Sequence, residues 1–137
     1  IEHGYHFLTD IPAYRHIGPM AALMTAFTKY PRKNILLVGC DYPFLGTEDI
    51  VEILRGCRRE SPAAFYHETE DLFEPLIAYY PHHTMDLLRE MYSNGQYSLQ
   101  QFLRKEKAIK CYPENKKSII GVNTKEAYIE TKDFRIC

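Results

Sequence analysis

The sequence predicts an α/β fold, in which a mostly parallel sheet is flanked by helices. Short apolar runs alternate along the chain with longer segments of helical periodicity, a pattern typical of this class. The clearest predicted strand, Asn34–Cys40, contains a continuous apolar run, which predicts burial on both faces in the middle of the sheet. The 137 residues contain no internal repeat and no long linker, so residues 1–137 are expected to form one domain.

The first half of the chain is predicted to supply two strands and two helices. Tyr5–Asp10 is a short candidate strand that precedes a helix over Gly18–Tyr30. Pro19 falls in the first turn of that helix, where its missing N–H costs nothing. After the strand that ends at Cys40, a second helix is predicted over residues 47–59, with Thr47 as its N-cap and two acidic residues in its first turn.

The second half of the chain is predicted to contain further strands and helices. Gly95 is expected to end one helix and Ser98 to open the next, because glycine is favoured just after a helix and serine at its N-cap. The predicted strands are Ala63–His67, Pro75–Pro81, Ala108–Tyr112 and Ser118–Thr124, and the predicted helices are His83–Gly95, Ser98–Lys107 and Asn123–Lys132.

Composition and charge describe a globular chain without a bias toward nucleic acid. Hydrophobic residues make up 45% of the sequence and the formal net charge is -1, which excludes a disordered, highly charged chain. The basic clusters at 56–60 and 103–110 also contain acids, so they are predicted to be solvated helix faces rather than a nucleic-acid surface. No apolar run approaches the roughly 20 residues of a membrane span, so no membrane association is expected.

The four cysteines are scattered, without a C-x-x-C pair or the spacing of metal ligands. Cys40 lies in an apolar run and is predicted to be a small buried hydrophobic residue. This usage fits a reducing, cytoplasmic compartment, although spacing alone leaves disulfide pairing open.

Two aspartates follow predicted strands and are the first candidates for chemistry. In open α/β sheets ligands collect beyond the carboxyl ends of the strands, where Asp41 is placed by the strand before it. Its carboxylate is suited to a hard cation such as Mg²⁺, and Pro43 helps to turn the chain away. Asp10 ends the earlier predicted strand in the same way, so both carboxylates are expected to face one crevice. The alternative is that each aspartate caps a turn or a helix.

Gly18 and Pro19 form a second candidate feature, at the start of the first predicted helix. Gly18 permits close approach of the backbone, and the free N–H groups and positive dipole end of the helix suit a phosphate. The alternative is a Gly-Pro pair that only starts a helix.

The histidines and tyrosines give weaker signals. His82 and His83 are adjacent and do not share a helix face, so they predict no metal site. His67 lies in an acidic stretch but is a weak candidate ligand. No G-x-S-x-G, H-E-x-x-H or P-loop motif is present, and the eleven tyrosines lack the interleaved basic residues of a base-stacking surface.

Taken in order, the motifs of the chain resemble those of the molybdenum cofactor guanylyltransferase family, MobA. Asp10 is followed eight residues later by GPMAAL, and then by LLVGCDYPFL, EPLIAYY, NGQYSLQQFL and VNTKEA. The family patterns are D…G-P-L-A-G, L-[ACG]-C-D-x-P-[FY], x-P-L-x-x-x-Y, a helical G-x-x-[SR] segment and N-x-N-T-P-E-[DE]. The resemblance extends from Tyr5 to about Tyr128.

The resemblance implies a nucleotidyltransferase with a Rossmann-like fold of the nucleotide-diphospho-sugar transferase type. Such an enzyme joins GMP from GTP to molybdopterin cofactor and releases pyrophosphate. The family aspartate that matches Asp41 binds Mg²⁺ beside the triphosphate, and the one that matches Asp10 contacts the nucleotide. Gly18 and Pro19 match the Gly-Pro pair of the nucleotide crevice. Catalysis then needs neutralised charge and aligned anions, with little side-chain acid–base chemistry.

The resemblance also implies an acceptor side and protein partners. Asn123 matches an asparagine of the cofactor-side site, and Pro43 belongs to the same side. The implied substrates are GTP and molybdopterin cofactor, and the implied protein partners are molybdoenzymes or other proteins of cofactor biosynthesis.

The sequence departs from the family pattern at several places. The loop L-x-G-G-x-S-x-R-M-G-x-D-K, which binds the triphosphate, is not in this sequence, so the fold is expected to be N-terminally incomplete and the chain as given inactive. Ala22, Gly121 and Lys125 replace the second glycine of G-P-L-A-G, the first asparagine of N-x-N and the following proline. Three alternatives stay open: a catalytically silent binding or accessory protein, a cytidylyltransferase relative, and a flavodoxin-like domain.

Overall fold

A computed structural model of the chain describes residues 4–56 and 60–122. The predicted helix Asn123–Lys132 lies outside these ranges. The strands are β1 (Ile35–Val38), β2 (Ala63–His67), β3 (Leu72–Tyr80) and β4 (Ile109–Cys111), and the helices are α1 (Pro19–Lys29), α2 (Thr47–Gly56), α3 (Thr84–Ser93) and α4 (Leu99–Lys105), with short 3-10 helices at Pro12–Tyr14 and Lys116–Ile119.

The four strands form one sheet in the order β1-β3-β2-β4. Strand β3 is antiparallel to both β1 and β2, and β2 is parallel to β4. Three of the four strands therefore run in one direction, which confirms the predicted mostly parallel sheet with β3 as the exception. The exception has a local cause, since β2 and β3 are joined by only the residues 68–71, too few for a crossover between parallel strands. Asp71, with a φ of 55°, ends this turn.

Helices cover both faces of the sheet, as predicted. The consecutive residues of β2 point to opposite faces: Ala64 and Tyr66 pack in a core with α1, α3 and α4, and Ala63 and Phe65 pack in a second core with Ile53 of α2. The sheet is thus the middle layer of three. None of the helices in the described ranges combines the length and apolar character that a membrane span requires.

Strand β1 corrects the first of the sequence predictions. The run Asn34–Cys40 was expected in the middle of the sheet, but β1 pairs with β3 alone among the described strands and lies at the edge. Its residues are half-buried, and Val38 is exposed. A continuous apolar run predicts a strand, but it does not determine which strands pair with it.

Two other predicted strands are wrong. Tyr5–Asp10 pairs with none of the described strands and is irregular, and Phe7 within it is 87% exposed. Residues 116–119, which overlap the predicted strand Ser118–Thr124, form a 3-10 helix instead. Here the side chain of Asn115 accepts a hydrogen bond from Lys117 N at 3.0 Å, and such a local contact competes with an extended backbone.

Helix ends follow the sequence rules with one correction. Ser98 caps α4 by accepting from Gln101 N at 3.2 Å, and Gly95 follows α3 with a φ of 71°, both as predicted. Thr47, however, is the first residue of α2 rather than its cap. The buried Asp49 closes this end, since its carboxylate accepts from Gly46 N at 2.9 Å.

Candidate active site

Asp41 lies three residues beyond the carboxyl end of β1. The carboxyl ends of β2 and β4 lie at the same end of the sheet. Its backbone is held from the C-terminal side of the chain, because its carbonyl accepts from Val122 N at 2.8 Å. Its half-buried carboxylate lies between two glycines: a Cβ added at Gly39 would be 3.1 Å from Oδ1, and one added at Gly121 would be 3.5 Å from Oδ2. Because neither glycine has a side chain, the carboxylate can lie close to the backbone at both positions.

A chain of side-chain hydrogen bonds starts at the residue after Asp41. The Tyr42 hydroxyl donates to Glu74 Oε1 on β3, and Glu74 Oε2 lies 2.9 Å from Nε2 of His67 at the end of β2. Burial, the hydrogen bond to Glu74 and the charges of Glu74 and Asp41 raise the pKa of Tyr42 well above its ordinary value, so the hydroxyl stays a donor at neutral pH. Glu74 therefore ties the loop that carries Asp41 to two strands of the sheet.

Sequence reasoning missed this role for Tyr42 and Glu74, and it underrated His67. Tyr42 and Glu74 are 32 residues apart, and no residue spacing joins them. Two signals were available: Tyr42 is adjacent to Asp41, and Glu74 precedes the proline of EPLIAYY. The sequence suggests the neighbouring acids as partners of His67, but the structure pairs His67 with Glu74 on the adjacent strand.

The surroundings of Asp41 fit a magnesium ion whose remaining ligands are waters and the phosphates of a substrate. Within residues 4–56 and 60–122, no group of three or more histidine, cysteine or acidic side chains could hold a metal by itself. Mg²⁺ is usually bound through one or two protein carboxylates, with waters and substrate phosphates as its other ligands. A single carboxylate at an open sheet edge is such a ligand.

A cavity of about 430 Å³ lies beyond the ends of β2 and β4, next to this network. His67 forms part of its wall, and Ile119 and Ile120 lead directly to Gly121 beside Asp41. Aromatic, apolar and charged side chains share the lining, which includes Tyr66, Tyr112, Pro113, Glu68, Glu70 and Lys116. The cavity can thus hold a flat organic molecule with polar substituents within reach of the Asp41 loop.

The other predicted nucleotide residues lie near the start of α1. Gly18 has a φ of 69° and directly precedes Pro19, the first residue of the helix. Only residues 30–34 separate the end of α1 from the start of β1. Asp10 is exposed on an irregular segment and does not end a strand as predicted. Its neighbour Ile11 is attached to α1 through Thr25 Oγ1 at 3.1 Å.

Three further predictions concern single positions near the site. Pro43 is half-buried in the turn after Asp41, where it was expected. Cys40 was predicted to be buried but is an exposed free thiol, because β1 ends two residues before it and Cys40 lies in the following bend. Asn123 lies outside the described residues.

Replacing Gly39 with alanine is expected to disturb the site more than the same change at Gly121. The added Cβ at Gly39 would meet Cε2 of the Tyr42 ring at 2.8 Å and Oδ1 of Asp41 at 3.1 Å, so one of these groups must move. We expect a loss of about 1–3 kcal/mol in the free energy of unfolding, measured by urea denaturation. Gly121→Ala is the matched control, since its nearest contacts of 3.5 Å are ordinary van der Waals distances. Equal losses in the two variants would contradict this account.

Comparison with known proteins identifies a family and a curated relative. The profile of the MobA-like NTP transferase domain family matches residues 1–109. A curated relative, the molybdenum cofactor biosynthesis bifunctional protein of Synechocystis sp., is 24% identical over 113 residues, which are 82% of this chain and 33% of that protein. The chain therefore spans about a third of the length of this relative.

Solved structures share the fold. A protein from Aquifex aeolicus VF5 aligns with a TM-score of 0.67 and 18% identity, over 78% of this chain and 57% of that one. Molybdopterin-guanine dinucleotide biosynthesis protein A from Archaeoglobus fulgidus aligns with a TM-score of 0.65 and 20% identity, over 87% of this chain and 63% of that one. At these identities the two structures establish the architecture of the chain.

Proposed function

The chain belongs to the MobA-like NTP transferase domain family, and from this premise we propose that the protein transfers GMP from Mg²⁺-bound GTP to molybdopterin cofactor with release of pyrophosphate. The observation that carries the proposal is the position of Asp41. Its carboxylate lies at the carboxyl edge of the sheet and forms no ion pair with any residue in the described ranges. A metal bound there would neutralise phosphate charge during attack on the α-phosphorus.

The 430 Å³ cavity beyond the ends of β2 and β4 supports the acceptor part of this proposal. The start of α1 lies on the nucleotide side, where its N–H groups and dipole favour phosphate. The tyrosines of the cavity offer flat apolar surface to a heterocycle, and its glutamates accept hydrogen bonds from ring amino groups. This arrangement brings two anionic substrates together at one carboxylate, and their alignment supplies most of the catalysis.

We propose that the reaction takes place in the cytoplasm and that molybdoenzymes or other cofactor-biosynthesis proteins receive the product. The glycine-rich loop expected to bind the triphosphate is not in the 137-residue sequence. Because that loop would supply contacts to the triphosphate, the nucleotide assays below are run on a protein that carries it as well as on the 137-residue chain.

A second candidate is a catalytically silent binding protein with the same fold. The observation that favours it is Gly121, which lies against Asp41 where the resembling pattern has an asparagine. Without that amide, one polar contact to the metal or the substrate is lost. Such a protein would bind the nucleotide or the cofactor without turnover.

Titration with GTP and CTP, each with and without Mg²⁺, tests these candidates. We expect binding that requires Mg²⁺ and favours GTP over CTP by at least about tenfold, the equivalent of one well-formed hydrogen bond to the base. Calorimetry gives the affinities, and release of pyrophosphate in the presence of molybdopterin reports transfer. Preference for CTP would identify a cytidylyltransferase relative, binding without transfer would favour the silent protein, and no binding of either nucleotide would contradict both.

A further inference from the structure

The cations of the basic cluster at 103–110 are exposed to solvent, as predicted, and the cluster also borders a cavity of about 480 Å³. Its cations Arg104, Lys107 and Lys110 all line this cavity, which lies beside α4 and β4. Strand β4 is the edge strand opposite to β1, so two strands separate β4 from the strand that leads to Asp41. Only Lys105 of the same cluster remains on the exposed surface without lining the cavity.

Two of the three cations are held in place by uncharged partners. Arg104 Nη2 donates to the carbonyl oxygen of Asp71, and Lys110 Nζ lies 4.2 Å from the centroid of the Tyr66 ring. A carbonyl and an aromatic face orient a cation without cancelling its charge. Lys107 follows α4 with a φ of 51° and also lines the cavity.

The charge of these three side chains is left largely uncompensated. The ion pairs between described residues are Arg55–Glu52, His67–Glu74 and Arg89–Asp86, and none involves a residue of this cavity. Asp71 is the single acidic residue in its lining. A concave surface with several cations and one carboxylate concentrates anions from solution, because its apolar walls focus the field.

The floor of the cavity is apolar. It is formed by buried side chains of β2, β3 and α4, which are Tyr66, Phe73 and Leu103. Tyr66 and Phe73 meet edge to face, with ring centroids 5.0 Å apart. A purely inorganic anion would leave this floor unused, whereas an organic anion would cover it.

We propose that this cavity binds a small organic phosphate, with the phosphoryl group held by Arg104, Lys107 and Lys110 and the organic part lying against the apolar floor. Arginine and lysine donate charge-assisted hydrogen bonds to phosphate oxygens, and an aromatic floor favours a flat apolar body. The site is separate from the proposed transferase centre and does not depend on it. Tyr66 borders both this cavity and the proposed acceptor cavity, so an occupant here would contact a wall of the acceptor place.

Phenyl phosphate is the probe, and the full 137-residue chain is titrated with it while amide NMR spectra are recorded. We expect saturable shifts of the Lys107, Ala108 and Lys110 amides, at a lower concentration than with inorganic phosphate. Lys107→Gln and Lys110→Gln should each weaken binding about fivefold or more, since each removes one charge-assisted contact. Lys105→Gln is the matched control and should leave the affinity within about twofold, because an exposed charge outside the site is screened.

The outcomes separate the proposal from its alternatives. Equal losses in all three lysine variants would show a diffuse effect of net charge and would overturn it. Inorganic phosphate that binds as tightly as phenyl phosphate would overturn the role of the aromatic floor. Shifts that do not saturate would show that no site exists. Dispersed amide spectra of the variants check that each one is folded.

Discussion

Asp41→Ala is expected to lower nucleotide transfer by about 10²–10³-fold, the usual cost of removing one group that stabilises charge in the transition state. The free energy of unfolding should change by no more than about 0.5 kcal/mol, because the half-buried carboxylate forms no ion pair with a described residue and fills no core position. Release of pyrophosphate measures the rate, and urea denaturation measures the stability.

A second measurement makes the test independent of turnover. Mn²⁺ can replace Mg²⁺ as a paramagnetic probe with GTP, and it should broaden the amide signals of Gly39 and Gly121, which flank the Asp41 carboxylate. The broadening should be lost in Asp41→Ala and should persist in Asp86→Ala, whose exposed side chain lies on α3. Unchanged transfer and unchanged broadening in the Asp41 variant would remove this residue from the mechanism.

Glu74→Ala is expected to destabilise the protein about as much as Gly39→Ala. The carboxylate joins the Tyr42 hydroxyl to His67 Nε2, and its removal leaves both half-buried groups without this partner. We expect a loss of about 1–3 kcal/mol in the free energy of unfolding. Transfer should also fall, since the loop that carries Asp41 loses its tie to β3.

A double-mutant cycle distinguishes this network from separate contacts. Tyr42→Phe removes the donor, Glu74→Ala removes the acceptor, and the combined variant completes the cycle. Groups in one hydrogen-bond network show coupling energies of about 0.5–3 kcal/mol, so the two single losses should not add up in the double variant. Additive losses within about 0.3 kcal/mol would mean that Tyr42 and Glu74 act independently.

Local features of the sequence predicted local features of the structure. Ser98 and Gly95 mark helix ends because a cap is decided within three or four residues. The apolar run before Asp41 predicted both a strand and a carboxylate at its end, and the structure has them in that order. The alternation of apolar runs and helical periodicity likewise predicted helices on both faces of a sheet.

Positions that depend on a distant partner were predicted less well. Tyr5–Asp10 has the composition of a strand, but a strand forms only where another strand offers it hydrogen bonds, and none of the described strands pairs with it. The same argument applies to β1, whose apolar residues indicate a strand but whose place at the edge is set by its pairing with β3.

The sequence by itself determined the α/β class, most helix and strand positions, the family and the candidate carboxylate Asp41, because each is encoded in short patterns or in their order along the chain. Only the tertiary structure decided that Glu74 joins Tyr42 to His67 and that Arg104, Lys107 and Lys110 surround one cavity. Such groupings arise when sheet pairing and helix packing bring together residues that are distant in sequence, or turn neighbouring residues toward one space. Contacts of that kind leave no periodic trace in the order of the amino acids.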